Sequence, residues 1–65
     1  MNMDKFVEVT EIGGSKVLVR IGKILSVLQE RDRTFIETGA NDKGVSIGIM
    51  VRESYAEIKQ RICEV

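Results

Sequence analysis

The chain has 65 residues, ten basic and ten acidic, with one cysteine, no histidine and no proline. This length corresponds to one domain, and the balanced charge does not favour an anionic partner such as nucleic acid or a membrane surface. A lone cysteine excludes an intrachain disulfide. Eight valines and eight isoleucines, against three leucines and two alanines, favour sheet over helix.

The N-terminal third predicts a β-hairpin. Apolar and polar residues alternate from 5 to 12, which predicts a strand with Val7 and Val9 on one face. Gly13-Gly14-Ser15 follows, and a glycine pair supplies the positive φ of a tight turn. Residues 16–21 alternate again and predict the second strand, which pairs antiparallel with the first.

The middle of the chain predicts two more strands. Residues 20–23 contain a glycine and indicate a short turn or bulge. Residues 24–29 predict a third strand; a helix over 24–31 is the alternative, because the segment also contains helix formers. Residues 31–33 form a charged turn, and residues 34–38 predict the fourth strand.

The C-terminal third predicts a loop, a strand and a helix. A six-residue loop of turn formers spans 39–44, and strict alternation follows over 45–51. Ser54 and Glu57 have the S-x-x-E spacing of a capping box. The period then becomes helical, with an apolar stripe formed by Tyr55, Ile58, Ile62 and Val65.

Together these elements predict a single α+β domain over residues 1–65, mainly β. It is an antiparallel meander of about five strands, as a curled sheet or partial barrel, with one C-terminal helix. Several strands carry apolar residues on both faces, whereas one helix covers only one face. We therefore expect self-association, with a dimer as the first expectation, through the outward side chains Leu18, Leu28 and Met50.

No residue set predicts catalysis. The chain has no histidine and no nucleophile–base pair, so we expect a non-enzymatic protein without cofactor or metal. Cys63 is expected to be a part-buried small apolar residue. The N-terminus lacks an apolar signal-peptide core and no apolar run is long enough to span a bilayer, so we expect a cytoplasmic protein.

A second interpretation is a small nucleic-acid-binding regulator. Its contacts would be the basic residues of the turns and second strand, namely Lys16, Arg20, Lys23, Arg31 and Arg33. Such a surface usually also carries exposed aromatic groups, and Phe35 and Tyr55 are expected in the core. Solvated turns with nearby counter-charges are the simpler interpretation, which makes nucleic acid the less favoured partner.

The chain resembles the small bacterial and phage proteins of the flagellar and swarming-motility FlbD type. The resemblance rests on residues 19–27 in the middle segment and on 51–54 with Glu57-Ile58 at the joint between strand and helix. It departs at 39–44, where the loop is longer. This resemblance implies a small adaptor or interaction protein.

The tail I-G-I-M-V-R-E-S-Y-A-E-I-K-Q-R-I is also similar to the carbon-storage RNA-binding regulators. Those proteins are short, have five strands and a terminal helix, and form dimers. This second resemblance implies RNA binding.

Overall fold

The computed structural model describes residues 5–63 and confirms a mainly β, α+β architecture with five antiparallel strands and one C-terminal helix. In chain order the elements are β1 Phe6–Thr10, β2 Lys16–Arg20, a 3-10 turn Ile21–Lys23, β3 Ser26–Gln29, β4 Thr34–Ala40, β5 Ser46–Val51 and α1 Tyr55–Cys63. The strand predicted over 24–29 is therefore confirmed against its helical alternative, and the turn predicted over 20–23 is the 3-10 turn.

The first sheet is the β1–β2 hairpin. Val7 lies opposite Val19 and Val9 opposite Val17, so the valines of both strands face the core together. Gly14 has φ 107° and its N–H donates to the Glu11 carbonyl at 2.8 Å, as the tight turn requires.

The second sheet has the order β3–β4–β5. The charged turn over 31–33 joins β3 to β4 and is closed by the Glu30 N–H donating to the Arg33 carbonyl at 2.8 Å. The loop before β5 is held by Asn41, whose Oδ1 accepts from the N–H groups of Lys43 and Val45. Gly44 in that loop has φ 79°. The β4–β5 register shifts between residues 37 and 39, which marks a β-bulge.

The two sheets do not close into a barrel. Among the described residues, one isolated bridge connects them, between Glu11 and Val51. On either side of it the Ile12 N–H donates to the Met50 carbonyl at 3.1 Å and the Arg52 N–H donates to the Thr10 carbonyl at 2.8 Å. The end of β1 therefore runs antiparallel to the end of β5.

The core lies between these sheets and α1, which packs against β3 and β1. Its buried apolar residues come from both sheets and from the helix: Val7, Val9, Val19, Ile36, Val51 and Ile58. Ser54 caps the helix, because its Oγ accepts from the Glu57 N–H at 3.1 Å. The Glu57 carboxylate pairs with Arg61 at 3.0 Å.

Some burial predictions were wrong. Tyr55 is 38% exposed, Phe35 is half-buried on the outer side of its sheet, and Cys63 is exposed. Along β5 the burial of the side chains decreases from Val51, which is buried, to Ile47, which is exposed. Val65, the last residue of the predicted helical stripe, lies outside the described residues.

Candidate interaction surface

The outer face of the three-stranded sheet carries a row of apolar side chains. Strand pairing places Leu28 opposite Phe35 and Phe35 opposite Met50, one residue from each strand. Their neighbours Val27, Ile36 and Ile49 point to the opposite face and pack in the core. We call Leu28, Phe35 and Met50 the apolar row.

The apolar row is only partly covered. Leu28 is 44% exposed, and Phe35 and Met50 are half-buried. Ile12, which is half-buried, is hydrogen-bonded to Met50 through its backbone N–H. The structure thus brings together two of the three predicted self-association residues. Leu18, which is 66% exposed, lies on β2 opposite Glu8 and is not part of the row.

Polar groups flank the apolar row on both sides. On one side Glu37 accepts hydrogen bonds from the Ser26 hydroxyl at 2.6 Å and the Ser46 hydroxyl at 3.0 Å. These two bonds lower the pKa of the Glu37 carboxyl below its usual range. On the other side the charged turn forms a shallow depression with Met50. An apolar strip with a polar rim is typical of interaction surfaces.

The predicted basic residues are not brought together into one patch. Arg31 and Arg33 share a depression with Arg52 and exposed Tyr55, but Glu30, Asp32 and Glu53 line it too. The other three basic residues lie apart from this depression. Lys16 lines another, beside Glu8 and Glu53; the Arg20 guanidinium lies 5.6 Å from the Phe6 ring centroid; and Lys23 lies in the 3-10 turn.

A polar junction holds the helix to the sheets, and sequence reasoning missed it. Glu53 accepts from the Thr10 N–H at 2.8 Å through Oε1, and its Oε2 lies 3.6 Å from Arg61 Nη1. Arg61 Nη1 donates to the Glu8 carbonyl at 2.7 Å. The buried Thr34 hydroxyl donates to the Glu53 carbonyl at 2.8 Å. Glu53 and Thr10 are 43 positions apart, so only the tertiary fold joins them.

Opposing effects act on the Glu53 carboxyl. Burial raises its pKa, but the Thr10 N–H bond and the Arg61 charge outweigh burial, so the pKa lies below its ordinary value of 4.5. Glu53 is therefore ionised at neutral pH and serves as the acceptor that ties β1 to the start of α1.

Within residues 5–63, no three side chains of the kinds that bind metals lie together, and no helix has the length and apolar character that crossing a bilayer requires. What this part of the chain does offer is an exposed sheet face with apolar side chains. That face is suited to packing against another surface.

Comparison of the chain with protein-family models, with curated proteins and with solved structures finds no match. The resemblances to FlbD-type proteins and to the carbon-storage regulators therefore stay predictions.

Proposed function

We propose that this protein is a small, non-enzymatic interaction module of the cytoplasm that self-associates through the outer face of its three-stranded sheet. The observation that carries the proposal is the apolar row, three apolar side chains in register across three strands. Sheets that expose such a face commonly bury it against a second sheet about 10 Å away. A second copy supplies a face of the same size and character.

The size of the apolar row sets the expected affinity. A stable interface buries roughly 800 Å² on each partner, and three partly exposed side chains supply only a fraction of that. We therefore expect a dimer with a dissociation constant in the micromolar range or higher. Such a constant corresponds to a free energy of association of about 8 kcal/mol or less in favour of the dimer, at a 1 M standard state. The exposed charged turn beside Met50 would form part of the rim.

Sedimentation velocity over a concentration series from a few micromolar to about 1 mM tests this proposal. The wild type should shift from monomer to dimer within that range. The double variant Leu28→Lys/Met50→Lys should raise the protein concentration at which the dimer forms at least tenfold, because it places like charges in the interface.

Leu25→Lys is the matched control. Leu25 is also exposed, at 65%, but it precedes β3 and is not in the apolar row. This variant should associate as the wild type does. A wild type that stays monomeric at 1 mM, or a control that weakens association as much as the double variant, would contradict the proposal.

The second candidate function is RNA binding by the five basic residues. The observation that favours it is that Arg31 and Arg33 share one depression with Arg52 and exposed Tyr55, which could stack on a base. The three acidic residues there oppose it. At low salt a single-stranded oligoribonucleotide should bind, with affinity falling steeply as salt rises. Unchanged binding by Arg31→Glu/Arg33→Glu would remove this candidate.

A further inference from the structure

The outer edge of β5 carries backbone hydrogen-bonding groups that point away from its own sheet. The Met50 carbonyl and the Arg52 N–H bond to the end of β1, on the side away from β4. The Val45 carbonyl bonds in the opposite direction, to the backbone that follows β4. Because the direction alternates along a strand, the N–H and carbonyl groups of Ser46 and Gly48 point to the same side as those of Met50 and Arg52.

The hairpin covers only the C-terminal end of this edge. β5 is an outer strand of its sheet, and its bridge to β1 lies at Val51. After the bridge β1 enters the glycine turn, whose closing bonds join Glu11 to residues 14 and 15 on the β2 side. Among residues 5–63 no hydrogen bond reaches the backbone N–H or carbonyl groups of Ser46 and Gly48. The middle of β5 is therefore open to a further strand.

The side chains along this edge carry no charge. Residues 45–49 read V-S-I-G-I. Val45 is 58% exposed and Ile47 is 49% exposed, and both share a face with half-buried Ile49. Edge strands are commonly protected from pairing by lysine, by proline or by an inward-pointing charge, and this segment has none of them.

A second copy of the chain fits the edge in an antiparallel register about Ile47. In that register Ser46 of each copy lies opposite Gly48 of the other, so the outward N–H and carbonyl groups of both residues are paired. Ile47 then lies opposite Ile47 of the second copy as a non-hydrogen-bonded pair, and Val45 lies opposite Ile49. These pairs bring apolar side chains together and place no like charges opposite each other.

We propose that two copies of the chain pair along the β5 edge about a two-fold axis at Ile47, which joins their three-stranded sheets into one antiparallel sheet. Side chains that lie directly opposite each other share a face, so both apolar rows lie on the same side of the joined sheet. The pairing also covers Val45 and Ile47. This inference goes beyond the proposed function, because it uses a different surface and does not require association through the apolar row.

The pairing is expected to be weak. A stable interface buries roughly 800 Å² on each partner, whereas this one consists of a short backbone ladder and two exposed side chains of each copy. We expect a dissociation constant of about 1 mM or above, higher than that of the apolar row. A method that traps a sparsely populated pair is therefore required.

Disulfide trapping tests the register. Directly opposite residues of a non-hydrogen-bonded antiparallel pair have Cα atoms about 4.5 Å apart, which is within the range of a disulfide. The background variant Cys63→Ser removes the exposed native thiol. In that background Ile47→Cys should form a covalent dimer when copper phenanthroline is added as the oxidant. Circular dichroism of each variant before oxidation verifies that it is folded.

Val45→Cys in the same background is the matched control. Val45 is more exposed than Ile47, so random collisions would link its cysteines at least as fast. In the proposed register residue 45 lies opposite residue 49, and the two copies of residue 45 are about 13 Å apart along the strands. Disulfide geometry does not allow that separation. The covalent dimer of Val45→Cys should therefore form at least tenfold more slowly than that of Ile47→Cys.

The double variant Leu28→Lys/Met50→Lys separates this pairing from association through the apolar row. Combined with it, Ile47→Cys should still be trapped at a rate within about twofold of its rate without it. Loss of trapping there would show that the apolar row alone joins the copies. In the unaltered chain, amide exchange at 46 and 48 should slow as the protein concentration rises from about 0.1 to 2 mM, and exchange at 45 and 47 should not change.

Three further results would each overturn the inference. They are equal trapping rates for Ile47→Cys and Val45→Cys, no covalent dimer from Ile47→Cys, and amide exchange at 46 and 48 that does not depend on protein concentration. An edge that binds only an extended segment of a different protein would give these results.

Discussion

Replacing Gly48 with alanine should destabilise this protein strongly. Gly48 lies on β5 opposite Glu37, beside the β-bulge. A Cβ built at this position would lie 1.9 Å from the Ile36 carbonyl oxygen, 2.8 Å from its carbon and 2.9 Å from the Glu37 Cα. All three atoms belong to the backbone of β4, so no flexible side chain can move aside.

The magnitude follows from what must shift. A carbon atom needs well over 3 Å from a carbonyl oxygen, so β4 and β5 would have to separate by more than 1 Å near their centre. Overpacking of this kind costs about 1–3 kcal/mol, and each ladder hydrogen bond lost adds about 1 kcal/mol. A 65-residue domain has a free energy of unfolding of about 3–10 kcal/mol. Gly48→Ala should therefore remove much or all of it.

Urea unfolding followed by circular dichroism measures this loss. The matched control is Gly39→Ala, because Gly39 lies on the other side of the same bulge and a Cβ there would meet nothing within 4 Å. The control should unfold within about 1 kcal/mol of the wild type. If Gly48→Ala also remained within about 0.5 kcal/mol of the wild type, the β4–β5 register described above would be refuted.

Substitutions at three further positions test the core, the cap and the polar junction. Ile58→Ala, at a fully buried helix position, should lower the free energy of unfolding by about 2–5 kcal/mol in the same urea assay. Ser54→Ala should lower it by about 1 kcal/mol, and Ser54→Gly by only a few tenths, because glycine is a tolerated N-cap. Glu53 has a lowered pKa, so its contribution to stability is complete above pH 4.5 and is lost as pH falls below that value. Glu53→Gln should therefore reduce the thermal midpoint at pH 7 and flatten its decline between about pH 5 and 3; an unchanged pH profile would contradict the assigned role.

Local patterns predicted most of the fold. The alternation around Val7 and Val9 predicts their shared burial, and Gly14 and Gly44 occupy turn positions with positive φ. The Ser54 cap lies at the predicted joint between strand and helix. Each of these features depends on residues close together in the chain, so a local sequence pattern predicts it.

Features that depend on residues far apart in the chain have no local sequence pattern that predicts them. The close approach at Gly48 is to the backbone of Ile36 and Glu37 on β4, and the junction at Glu53 requires Thr10, 43 positions earlier. The exposure of Ile47 is likewise a tertiary property, because α1 packs mainly against β3 and β1 rather than against β5.

For the candidate surfaces, the sequence predicted the excess of outward apolar residues but not their arrangement. Leu28 and Met50 join through Phe35, which was expected in the core, and Leu18 belongs to a different sheet. Which backbone groups of β5 point outward follows from its pairing with β4 and with the end of β1. The residue pattern of β5 alone leaves that direction open.

The polar junction has a consequence for the apolar row. The Glu53 carboxylate accepts from Thr10 and its carbonyl accepts from Thr34, so the start of α1 is tied to one strand of each sheet. Ile58 is enclosed in the core on that same side. The helix therefore cannot move to the outer face without breaking these bonds and exposing Ile58. Residues 5–63 contain no second α-helix that could cover the apolar row in its place.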